Sequence, residues 1–162
     1  MVRRDLDCLH PIVATKISRL IDEAWRQYKI EMLILATNRD DEGQAEAYSI
    51  GRTQIGASAM ATRPMGQVAT DNAPGWSFHQ FGLEADLWPI YRGQVIPGLV
   101  QPYLRLVWTP LNKLARHPAI NLRSGYYERL STGNRRLGHF HWSAGHKVEY
   151  FRNGFRVPDV RI

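Results

Sequence analysis

Apolar residues recur along the chain in more than one rhythm, and the changes of rhythm mark out its elements. From Pro11 onward, Val13, Ile17, Leu20, Ile21, Ala24 and Tyr28 recur at helical spacing, so one helix face carries them and should lie on the core. Pro11 suits the first turn of that helix, where its missing N–H costs nothing, and His10 stands just ahead of it. The run EMLILAT, Glu31 to Thr37, is short and continuously apolar and predicts a buried strand. DDEGQAEAYSIG opens on acids and closes on Gly51, which predicts a short helix, with Arg39 at the turn between strand and helix.

Further on the period fades. Residues 52–76 are rich in Gly, Ala, Thr and Pro and predict a long surface loop of the kind that often lines a site. Leu83 to Trp88 can form a strand, Leu99 to Arg116 has helical character despite Pro102 and Pro110, and GHFHW, ending at Trp142, reads as a strand. There is no internal repeat and no low-complexity segment.

Composition narrows the class. With 162 residues, 44% hydrophobic and 22% charged, the chain is expected to form a single globular domain, 1–162, that buries roughly two-thirds of its unfolded surface. No apolar run approaches the roughly 20 residues of a membrane-spanning helix, so no transmembrane segment is expected. The opening MVRRDLDCLHPIV follows its arginines with acids rather than an apolar stretch, against a secretory signal peptide. Cys8 is the only cysteine, which excludes an internal disulfide and a thiolate metal cluster. The net charge of +6 favours polyanionic partners, an anionic cell-envelope surface among them. No nucleic-acid motif accompanies it, so nucleic acid is not expected as a partner.

The chemistry concentrates in SFHQFGLEADLWP, residues 77–89. An imidazole from His79 and a carboxylate from Asp86 are both good Zn²⁺ ligands, and Gly82 between them permits a tight turn. A third donor must come from elsewhere, and GHFHW is the best source. In a strand His139 and His141 share one face while Phe140 and Trp142 take the other. His10, followed by Pro11, reads as a helix-entry residue, and His117 and His146 lie in turn-like surroundings; all three read as structural.

Taken in order, TNRDDEGQAEAY, GRTQIG, ATDNAPGWSFHQFGLEADLWP and GHFHW resemble the zinc D-alanyl-D-alanine carboxypeptidase and L-alanyl-D-glutamate endopeptidase family of peptidoglycan peptidases. Ser77, His79, Gly82 and Asp86 match its first metal motif position by position, and RDLDCLHPIV looks like the start of phage endolysins of that family. The resemblance runs from about Arg4 to about Trp142. It implies an α+β fold of the hedgehog/D-Ala-D-Ala peptidase-like type: a small, mostly antiparallel sheet carrying a zinc site, flanked by helices. It also implies Zn²⁺ held by His79, Asp86 and His139 with an open position, with Ser77 and Gly82 binding substrate or supporting the ligands. The reaction would be metal-assisted amide hydrolysis of the peptidoglycan peptide stem, with Arg39 stabilising the oxyanion.

One position departs from the family pattern. Three residues before the last metal-binding histidine the family carries an Asp or Glu as general base; here Arg136 stands there, and a guanidinium cannot accept a proton at neutral pH. The replacement candidates are His141, which shares a face with His139, then Glu128 from the preceding loop, and less strongly Glu84, which alternation puts on the side of Asp86. The expected activity is that of a phage or prophage endolysin cutting the L-alanyl-D-glutamate bond. It would be made in the host cytoplasm, reach the wall through a separate pore and act as a monomer. A D-alanyl-D-alanine carboxypeptidase is the alternative with the same chemistry. A catalytically inactive, zinc-containing wall-binding or phage structural module is the alternative of another class, and Arg136 favours it.

Overall fold

The structure is a computed structural model that describes residues 1–58, 61–96, 98, 100–127, 138–143 and 146–154. In chain order the elements are β1 (Val2–Arg3), α1 (Pro11–Tyr28), β2 (Ile30–Ala36), β3 (Asn38–Arg39), α2 (Asp41–Ser49), β4 (Gly56–Ser58), β5 (Ala61–Arg63), β6 (Glu84–Tyr91), β7 (Gln94–Val95), α3 (Thr109–Ala115), β8 (Arg123–Ser124), β9 (His139–His141) and α4 (Val148–Arg152). This is an α+β architecture with four α-helices and small antiparallel sheets among the described residues. None of the helices is long and apolar enough to cross a membrane.

The main sheet has the order β2-β6-β9-β8, with β7 also paired to β6. Helix α1 packs on it through the stripe the sequence marks out: Val13, Ile17, Leu20 and Ala24 are buried, whereas Tyr28 at the last turn is exposed. They join Ala85 and Leu87 of β6, Phe140 of β9, and Trp108 and Leu111 around α3 in one hydrophobic core. Trp88 and Trp108 meet edge to face at 5.2 Å, a favourable arrangement for two aromatic quadrupoles.

Two expectations need correction. The run at Glu31–Thr37 is not a buried strand: β2 is the edge of the sheet, only Ile30 and Ala36 are buried within it, and Leu33 is 38% exposed. A continuous apolar run cannot distinguish a strand covered on both faces from one whose second face meets solvent. Residues 52–76 are not a simple loop, because β4 and β5 form an antiparallel hairpin and Val68 and Thr70 are buried. The Gly66 N–H donates to Gly51 O at 2.8 Å and Ala69 N–H to Ile50 O at 3.3 Å, which ties the segment to the end of α2. The helical character expected over Leu99 to Arg116 is present at residues 103–115, where a π-helical stretch, Leu104–Trp108, runs directly into α3 with Pro110 in its first turn; Leu99 lies outside the described residues.

Candidate metal centre

His79 sits on a single helical turn, Phe78–Phe81, built by its own sequence. Ser77 caps that turn, its hydroxyl accepting from the His79 N–H at 3.4 Å, while Gln80 Oε1 accepts from the backbone N–H of Ser77 and of Gly75. Gly82 ends the turn with φ +66°, where a Cβ would lie 3.0 Å from His10 N and 3.1 Å from Cys8 O. The His10 N–H donates to Gly82 O at 2.9 Å, so the segment before α1 lies directly on the turn. Ser77 and Gly82 therefore act as supports that set the course of the backbone. From the other side, Gln80 hydrogen-bonds to Asp41 in the first turn of α2.

β6 begins two residues after that turn, and its alternation puts Glu84 and Asp86 on one face, with the buried Ala85 and Leu87 on the other. The register with β9 sets Glu84 opposite His141, Ala85 opposite Phe140 and Asp86 opposite His139. Gly138 makes this pairing fit: its φ is +80°, its carbonyl accepts from Leu87 N–H at 2.8 Å, and a Cβ would lie only 2.5 Å from Leu87 O.

The result is a group that could hold a metal ion: His79, Glu84, Asp86 and His139 each offer one ligand atom, all within 4.8 Å of one another. Asp86 reaches both imidazoles, with Oδ1 3.0 Å from His139 Nδ1 and Oδ2 3.2 Å from His79 Nε2. Glu84 reaches the same two nitrogens, its Oε1 hydrogen-bonded to His139 Nδ1 and its Oε2 3.6 Å from His79 Nε2. Bonds of about 2.0–2.2 Å in a tetrahedral site put neighbouring donors about 3.3–3.6 Å apart, close to the two His79 separations and slightly longer than that of Asp86 from His139, whereas Glu84 and His139 stand closer, in direct hydrogen bond. His79 is fully buried; its Nδ1 has no hydrogen-bond partner among the described residues, and its Nε2 faces the Asp86 and Glu84 carboxylates. A cation bound at Nε2 would lie between that imidazole and two carboxylates withdrawn from water, whose charge it would offset.

Arg39, delivered by β3 next to the end of β2, forms an ion pair with Asp86 Oδ2. Burial opposes ionisation of Asp86, but the positive charge that His139 and His79 carry when protonated, together with the Arg39 guanidinium, holds its carboxyl well below the usual carboxylate range. Of these charges, the Arg39 guanidinium is the one that persists when the imidazoles are neutral, as ligation of a metal requires.

The structure thus brings together His79, Asp86, His139 and Arg39. His141 is buried beside them on β9 and stacked on Phe78, with ring centroids 5.1 Å apart, and is not one of the four clustered donors. Glu128 and Arg136 lie outside the described residues. Glu84 is the residue whose part in the group the sequence understates: alternation from Asp86 gives its side of the strand, but not its contact with His139. His10 stands at the start of α1, His117 Nδ1 accepts from the Ala119 N–H at 3.2 Å, and His146 stacks on Tyr150, all apart from the cluster. Scanned against protein-family models and against curated proteins, the chain matches none.

Proposed function

We propose that the protein is a zinc-dependent peptidoglycan peptidase that cuts the L-alanyl-D-glutamate bond of the peptide stem, in the manner of a phage or prophage endolysin. The observation that carries this reading is convergence. His79 and Asp86 of the first motif meet His139 of the last one in a single group, with Arg39 paired to Asp86. The endolysin-like stretch at Arg4–Val13 also bears on the site, because it packs against Gly82 of the metal motif.

Two imidazoles and carboxylate oxygen form a donor set that suits Zn²⁺. Bound there, Zn²⁺ would supply Lewis acidity toward an amide carbonyl and make water acidic enough to attack at neutral pH. Arg39 fixes the orientation of Asp86 and keeps a positive charge at the edge of the group, where an oxyanion would develop. His141 is held by Phe78 beside the ligand strand and is the described residue proposed to take the proton. The net charge of +6 would favour approach to an anionic envelope. As a lysin, the protein would act on the wall after release from the host cytoplasm through a separate pore.

A second reading has its own support. Glu84 stands within the metal group, and position 136 carries an arginine instead of a carboxylate, as expected of a zinc-containing module that binds the wall without cutting it. Mass spectrometry of purified peptidoglycan fragments, incubated with the protein with and without a chelator, separates the possibilities. New free L-alanine carboxyl termini that vanish with chelator are the expected result. Release of single D-alanine residues would assign a carboxypeptidase, and unchanged fragments would assign the binding module.

A further inference from the structure

We infer that Glu84 is a fourth protein ligand, so that the site takes a divalent cation between two imidazoles and two carboxylates. The inference rests on the metal-site part of the reading above; a filled fourth position favours the wall-binding module, and cleavage of the peptide bond would require Glu84 to give way or coordination to rise to five.

Sheet geometry comes first. Glu84 and Asp86 are alternate residues of β6 on one face, and Asp86 is opposite His139 in the register, which makes Glu84 a diagonal neighbour of His139. A glutamate there is long enough to reach back to the same imidazole. The contacts bear this out, since each carboxylate uses one oxygen toward His139 Nδ1 and the other toward His79 Nε2. An ion bonded to Asp86 and to both nitrogens is thereby also within reach of Glu84.

Burial and charge point the same way. Glu84 is only 1% exposed, and a carboxylate withdrawn that far from water requires compensating positive charge. A divalent cation held by both carboxylates would supply such charge. With both imidazoles neutral, two carboxylates balance a divalent ion. Three ligands from His79, Asp86 and His139 would leave a fourth tetrahedral position open, and with Glu84 that position is filled. A substrate or small anion could then reach the cation only if coordination rose to five or Glu84 gave way.

Cobalt(II) provides the test, because its visible absorption is stronger in four-coordinate than in higher-coordinate sites and shifts when an outside ligand binds. The full-length metal-free protein and its Glu84→Ala and Glu84→Gln variants would be titrated with Co²⁺ and then with azide. Circular dichroism of the metal-free forms would check folding, and the Gln variant keeps the side-chain volume should the Ala variant fail to fold. In the unaltered protein we expect an intense four-coordinate spectrum unmoved by azide. The variants should bind Co²⁺ at least about 100-fold more weakly, beyond the roughly 10–100-fold typical of residues that only orient a ligand, and their spectra should shift with azide. An azide-sensitive spectrum in the unaltered protein, or variants that keep its affinity within about threefold, would overturn the fourth-ligand assignment while leaving the three-ligand site intact. Failure of the unaltered protein to bind Co²⁺ would overturn the metal site as a whole.

Discussion

Arg39 and Asp86 lie 47 residues apart and form an ion pair at the edge of the candidate centre. That contact gives Arg39 a second task beyond any role toward substrate, because it fixes a carboxylate that also faces His79 and His139. Arg39→Ala should therefore weaken zinc binding by about 10–100-fold, measured by competition with a chromophoric chelator. If the protein is the proposed peptidase, kcat on a stem peptide at saturating zinc should also fall by about 100-fold or more, the usual cost of losing an oxyanion donor. A rise in KM with kcat unchanged would instead make Arg39 a substrate-holding residue. Arg39→Lys should recover only part of the loss, since an ammonium keeps the charge but not the planar fork of donors.

At the scale of elements, β2 and β6 show how one apolar vocabulary serves two environments. Leu33 of β2 and Leu87 of β6 lie on neighbouring, directly paired strands, yet Leu33 is 38% exposed and Leu87 is fully buried. Leu87→Ala should cost about 2–5 kcal/mol of unfolding free energy, from lost transfer energy and the cavity left behind. Leu33→Ala should cost less than about 1 kcal/mol, as expected at a site with little to empty. Urea denaturation of both variants checks the contrast, and equal losses would contradict the exposure of Leu33 on β2. The same two strands position the chemistry: β2 leads into β3 and Arg39, while β6 carries Glu84 and Asp86.

Across the whole molecule, the centre joins parts that are remote in sequence: the turn at Phe78–Phe81, β6, β9 and β3, with the segment before α1 braced against Gly82. A cation bound there should stabilise the native state as a unit. At zinc about 100-fold above its Kd the gain is about 2.7 kcal/mol, equivalent to a rise in Tm of about 5–10 °C for a chain of this size. Differential scanning calorimetry should show that rise, its reversal by chelator and its absence in His79→Ala. The rise should shrink on acidification, because the imidazole and carboxylate donors must be deprotonated to bind. An equal rise in His79→Ala would place the bound zinc elsewhere.

Local physics accounts for what the amino-acid sequence determined by itself. The stripe of α1 follows from helical period, the faces of Glu84 and Asp86 and of His139 and His141 follow from strand alternation, and the resemblance carried by the ordered motifs singled out His79, Asp86 and His139, which the structure brings into one group. Each of these depends on neighbours a few residues away or on a pattern carried intact along the chain. Tertiary structure decided the rest. The edge position of β2 depends on which strands pair with β6, and the hairpin of β4 and β5 depends on the fit of its flanking segment against Ile50 and Gly51 at the end of α2. The pairing of Arg39 with Asp86 and the reach of Glu84 to His139 depend on strand register. Register is a relation between distant segments, and no local period encodes it.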